Sequence, residues 1–172
     1  MGGGVSGLII AILTHSTNPR GGVVHALELG EALTQMGHHV VVHAPGDRDA
    51  RFFRDARCET QVVEAAPAGA DLAETVVLRA ADYVRHFERP STLRFDVFHA
   101  QDGISGNALA TLAARGSFPS FARTVHHLDI FADTRLAALQ TRSIGAARAS
   151  RGQRNRARPT FGGIQPQRHH RR

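Results

Sequence analysis

The stretch ILTHSTNPRGGVVHALELGEAL, residues 12–33, decides how this chain folds. An apolar, β-branched run ends at Leu13, a polar loop follows, and Gly21-Gly22 opens a segment of helical periodicity. The apolar run reaches back to Leu8, and a continuous run of that kind reads as a strand buried on both faces. After the glycines, Val23, Leu27, Gly30, Leu33 and Met36 fall near one face of a helix over residues 23–36, and Gly37 supplies a left-handed stop. The glycine pair admits two readings. It closes a tight turn, for which glycine is the default residue, or it lets the unpaired N–H groups of a helix start approach an anion, with the Arg20 guanidinium beside them. The spacing matches neither G-x-x-x-x-G-K-[ST] nor G-x-G-x-x-G with an acidic residue about 20 positions on.

The same alternation repeats along the chain. Further strands are expected at residues 40–44, 96–100 and 121–125, with a weaker candidate at 59–65. Helices are expected at 71–87, where Asp71 and Glu74 have capping-box spacing, from Ser105 to before Gly116, and from Thr134 onward. Strand and helix in alternation specify an α/β fold: a single Rossmann-like, doubly wound parallel sheet with helices on both faces. Such sheets take ligands outside the carboxyl ends of their strands. The loops after Thr14, Ala44, Ala100 and Val125 therefore share one crevice, and residues 15–22, 101–103 and 126–129 gather there.

With 172 residues, 42% of them apolar, the chain has room for one domain with its own core. All 21 basic residues are arginine, a bias that suits GC-rich coding. They divide unevenly: residues 1–144 hold 13 against 15 acids, whereas residues 145–172 hold 8 and no acid. The body is close to neutral, and any nucleic-acid binding would rest on the final segment alone. A lone Cys58 excludes an intramolecular disulfide and points to a reducing, cytoplasmic setting. No run approaches the ~20 apolar residues of a membrane-spanning helix. Met1 to Ser6 fits a myristoylation pattern, one short enough to arise by chance in a glycine-rich start. His15, His25, His38, His39 and His43 form no tetrahedral ligand set with an acid or cysteine, so no metal is expected.

Three segments carry a family likeness: HSTNPRGGVVHALELGEALTQMGHHVVVHAPG (15–46), FDVFHAQDGISGNAL (95–109) and ARTVHHLD (122–129). They resemble, in order, the Pro-x-Gly-Gly loop with its Gly-His-x-Val turn, the Asp-Val-x-His-Ala strand end and the Thr-x-His-Asp strand end of family-4 glycosyltransferases. The likeness spans residues 8–144 and points to a mycobacterial-type subgroup. It implies a GT-B enzyme with its active site between two Rossmann-like domains. Such enzymes transfer a sugar from a nucleotide-sugar donor, a substrate rather than a cofactor, to an acceptor with retention and usually without a metal. The second domain largely holds the donor nucleotide and the first largely holds the acceptor. This chain corresponds to the first, so residues 1–144 are expected to be inactive alone and to self-associate through an exposed cleft face.

Carried onto this sequence, the resemblance puts Gly21 and Gly22 on the glycine loop near the donor diphosphate, with Arg20 adjoining. His126 falls on the histidine that contacts the transferred sugar, and His127 stands where Asp is more frequent; these two are the expected catalytic residues. His99 matches the strand-end histidine and Gln101 stands where a second histidine is common. With Asp102 and Asp129, they are expected to bind substrate. Each has a plainer rival reading: strand-end histidines hydrogen-bond loop carbonyls, His99 suits a satisfied core position, and aspartates after strands cap helices.

After Ile144 apolar periodicity stops, and residues 145–172, rich in Arg, Gly, Pro and Gln, are expected to be a disordered basic tail. An out-of-frame translation, a basic arm and a linker all fit it. Two alternatives to a transferase therefore stand: a phosphate-ligand-binding Rossmann module without catalysis, and an arginine-tailed nucleic-acid binder.

Overall fold

The computed structural model describes residues 7–92, 94–118 and 120–156, with side chains through residue 147. Nine elements follow in order: β1 (Ile9–Leu13), α1 (Gly21–Gln35), β2 (His39–Gly46), β3 (Glu59–Glu64), α2 (Leu72–Phe87), β4 (Val97–Ala100), α3 (Gly103–Ala114), β5 (Ala122–Arg123) and α4 (Thr134–Arg156). The five strands form one parallel sheet in the order β3-β2-β1-β4-β5. Every expected element is present, including the weak one at 59–65, which is the exposed edge strand β3.

The pleat of β1 sends alternate side chains into two cores. Ile10 and Ile12 pack with Val40 and Val42 of β2 against Ala26 and Leu27 of α1. Ala11 and Leu13 pack on the other face with Tyr83 of α2, Phe98 of β4 and Leu109 and Leu112 of α3. Both faces are covered, which is why β1 and β2 read as continuous apolar runs. Full burial of each such aliphatic side chain contributes about 1.5–3 kcal/mol. On the α1 face, Gly30 admits close packing: a Cβ there would lie 2.9 Å from both Cys58 Sγ and Val42 Cγ2. The Cys58 thiol is buried, and that burial raises its pKa.

The helix ends follow the sequence closely. Gly37 adopts φ +91° and stops α1, but Met36, expected on its buried face, is the C-cap and 72% exposed. The Asp71 carboxylate accepts from Glu74 N–H to cap α2, while the Glu74 carboxylate reaches Ala70 N–H rather than Asp71. The helix expected from Thr134 onward runs past Ile144 into the basic segment, as α4 to Arg156. Its Ser143 is buried and Ala146 and Ala147 pack against the core, and Ala and Arg are strong helix formers. The rest of the basic tail, residues 157–172, and the myristoylation pattern at Met1 to Ser6 lie outside the described residues. Among the described residues no helix is long and apolar enough to cross a membrane.

The chain leaves β1 toward β2 on one side and returns to β4 on the other, so the strand order reverses between β1 and β4. The loops after these two strands diverge and open a crevice at the carboxyl end of the sheet.

Candidate functional site

That crevice is a cleft of about 560 Å³. One wall is polar and comes from the loop after β1, the start of α1 and the loop after β4; the other, built by Val76, Ile104, Phe131, Leu136 and Leu139, is apolar. Of the residues expected to form a site, Arg20, Gly21, Gly22, Gln101, Asp102, His126, His127 and Asp129 all line it.

The start of α1 is bare. Arg20 is its N-cap in an extended conformation, no side chain caps the helix, and its first turn holds no acid. The partial positive charge of the exposed N–H groups is therefore uncompensated. Neither glycine has a positive φ. A Cβ at Gly21 would meet nothing within 4 Å, and one at Gly22 would meet only the His126 ring, at 3.6 and 3.7 Å. Turn geometry and packing thus give no reason for glycine at either position.

Gln101 is 1% exposed and organises the polar wall. Its Oε1 lies 3.0 Å from His25 Nδ1 and 3.1 Å from His126 Nε2, and the two imidazoles meet edge to face at 5.0 Å. With the amide oxygen facing both rings, each ring presents an N–H to it. Burial, and then the neighbouring His25, lower the pKa of His126. The shift favours its neutral form, which suits a hydroxyl rather than an anion.

His99 does not line the cleft. Its Nε2 pairs with Thr124 Oγ1 at 2.9 Å, and burial followed by His25 and His126 lowers its pKa. The structure does not bring His99 into the cleft lining with the other expected residues: β4 turns this side chain toward β5, where Thr124 Oγ1 pairs with it. Asp102 does two things. Its Oδ1 caps α3 by accepting from Ser105 N–H, and its Oδ2 faces His15 Nδ1 at 3.5 Å. His127 and Asp129 pair at 3.2 Å on the exposed rim, and the Gln140 amide of α4 clips the Asp129 backbone through two 3.0 Å hydrogen bonds.

Two residues at the site are not marked for it by the sequence. His25 bonds Gln101 behind the cleft lining; it lies three residues after Gly22 and so shares its helix face. Arg123, at the end of β5, looked like an ordinary strand residue. Among the described residues, eight buried side-chain polar atoms lack a hydrogen-bond partner; four belong to residues lining this cleft, of which His15 Nδ1 and Asp102 Oδ2 face each other at 3.5 Å, while Gln101 Nε2 and Arg123 Nε have no such neighbour. An unpaired buried group costs about 1–3 kcal/mol, so Gln101 Nε2 and Arg123 Nε are the two groups of this cleft that the described residues leave uncompensated.

No curated protein sequence matches the chain. Residues 20–160 match the glycosyl transferase 4-like domain family, and with that match covering most of its length the chain belongs to that family.

Proposed function

We propose that the chain is the acceptor-side half of a retaining glycosyltransferase, of mycobacterial type, acting in the cytoplasm on a nucleotide-sugar donor without a metal. The observation that carries this reading is the uncapped, side-chain-free start of α1 with His126 beside it at the switch-point cleft. In this reading the donor diphosphate accepts from the N–H groups of Gly21 and Gly22, with Arg20 alongside. His126 contacts the transferred sugar, and Gln101 fixes its ring by the bond to Nε2. His127, Asp102 and Asp129 face the acceptor.

Transfer depends on positioning donor and acceptor together, an effect that supplies about 7–11 kcal/mol of a barrier in favourable cases. A second unit is needed to hold the donor nucleotide, so the 172-residue chain alone is expected to show no transfer. The rim residues Val125, Leu128 and Ile130 are 43%, 66% and 103% exposed, an apolar edge through which the isolated chain is expected to self-associate. In a transferase completed by a donor-binding unit, His126→Ala should lower kcat by about tenfold or more. His126 lies on an exposed loop, so the thermal midpoint should hold. Unchanged kcat would remove His126 from the reaction, and turnover by the chain alone would overturn the half-site reading.

A further inference from the structure

Arg123 lines the cleft and has no role in the transfer proposed for it. Its guanidinium Nη1 donates to the Ser143 hydroxyl of α4. Nε is buried without a partner, and among the described residues Nη2 has none either. Nε and Nη2 share one edge of the guanidinium, the edge that meets an oxyanion with two parallel N–H bonds. All 15 acidic residues of the chain are described, and none forms an ion pair with Arg123. The acid that acts on it electrostatically, Asp102, is engaged in capping α3.

The surrounding helices are thinned to admit this side chain. A Cβ at Gly106 of α3 would lie 2.9 Å from Arg123 Nη1 and 3.0 Å from Ser143 Cβ. Glycine inside a helix is otherwise unfavourable, and Ser143 is 0% exposed. A part-buried cation with a single neutral partner is a poor clip between a strand and a helix, because desolvating the charge is costly and the hydroxyl does not offset it. An anion arriving in the cleft would.

We propose that Arg123 binds an oxyanion, a phosphate or a carboxylate, carried by the acceptor at the α3–α4 end of the cleft. This site is separate from the start of α1, where the diphosphate is assigned. The inference rests on the transferase reading only in calling the ligand an acceptor.

The test titrates the full chain with glucose, glucose 6-phosphate and glucuronate, following chemical shifts. At least one charged sugar should bind about tenfold or more tighter than glucose, and which one does separates phosphate from carboxylate. Arg123→Gln should abolish the preference and Ser143→Ala, which removes the protein partner but not the charge, should keep it. If Arg123→Gln fails to fold, Arg123→Lys keeps the charge without the two-pronged edge and should weaken the preference. Equal affinity for all three sugars overturns the proposal. So does a preference that survives Arg123→Gln, including one lost instead in Gly22→Val. A parallel titration with uridine diphosphate reports on the start of α1. Its binding without a charged-sugar preference sinks the Arg123 site and leaves the transferase reading; the reverse result leaves Arg123 and sinks the diphosphate assignment.

Discussion

Gly22→Val sets folding against ligand approach at a position where the structure separates them. A Cβ at Gly22 would lie 3.6 Å from His126 Nε2, an ordinary contact, and the backbone there has no positive φ. Replacing a helical glycine favours the fold by about 0.4–1 kcal/mol through the unfolded chain, and the β-branch offsets about half of that. Stability should therefore move by less than about 1 kcal/mol, or about 2–4 °C in thermal midpoint for a domain of this size. The valine methyls instead add bulk at the helix start beside the His126 ring, on the approach an anion would take to the N–H groups. Hydrogen bonds to a charged group contribute about 1.5–3 kcal/mol, so binding of uridine diphosphate should weaken roughly tenfold to a hundredfold. Gly21→Ala, whose Cβ meets nothing within 4 Å, should likewise leave stability intact and weaken binding less. Calorimetric titration and a thermal scan on the same samples give both numbers. A midpoint lowered by many degrees with unchanged affinity per folded molecule would refute the assignment and return the glycines to a folding role.

Two further outcomes concern the body of the fold. His43 is 0% exposed against His86, Phe87 and Phe95, and burial, then His86, push its pKa from 6.5 down to about 3. The unfolded chain gains this proton below about pH 6.5 and the folded chain only near 3, so stability is full above 6.5 and falls as the pH drops between them; the slope is up to about 1.4 kcal/mol per pH unit. Urea midpoints across that range should show it, and His43→Phe should flatten the curve; an unchanged slope would show that His43 is not its source. Gly30→Ala forces a Cβ to 2.9 Å from Cys58 Sγ and Val42 Cγ2 and should cost about 1–3 kcal/mol, part of it recovered in the double variant with Val42→Ala. Strict additivity of the two changes would mean the crowding is relieved elsewhere.

Local chemistry determined much of this protein. The continuous runs of β1 and β2, the helical spacing after Gly22, the stop at Gly37 and the cap at Asp71 each depend on residues within one element, so they are legible in the chain itself. The alternation of elements specified a parallel α/β sheet, and a parallel sheet places the loops after its strands at one end. What periodicity does not encode is which elements become neighbours. The sheet order around β1 brings His25, Gln101 and His126 together across separations of 76 and 25 residues, and packs Arg123 against Ser143 and Gly106. It turns His99 away to Thr124 and lets core contacts carry α4 past the point where its sequence pattern fades. The glycine pair itself needed the tertiary structure, because a turn glycine and a glycine that clears space for a ligand have the same sequence and differ only in φ and in what stands opposite.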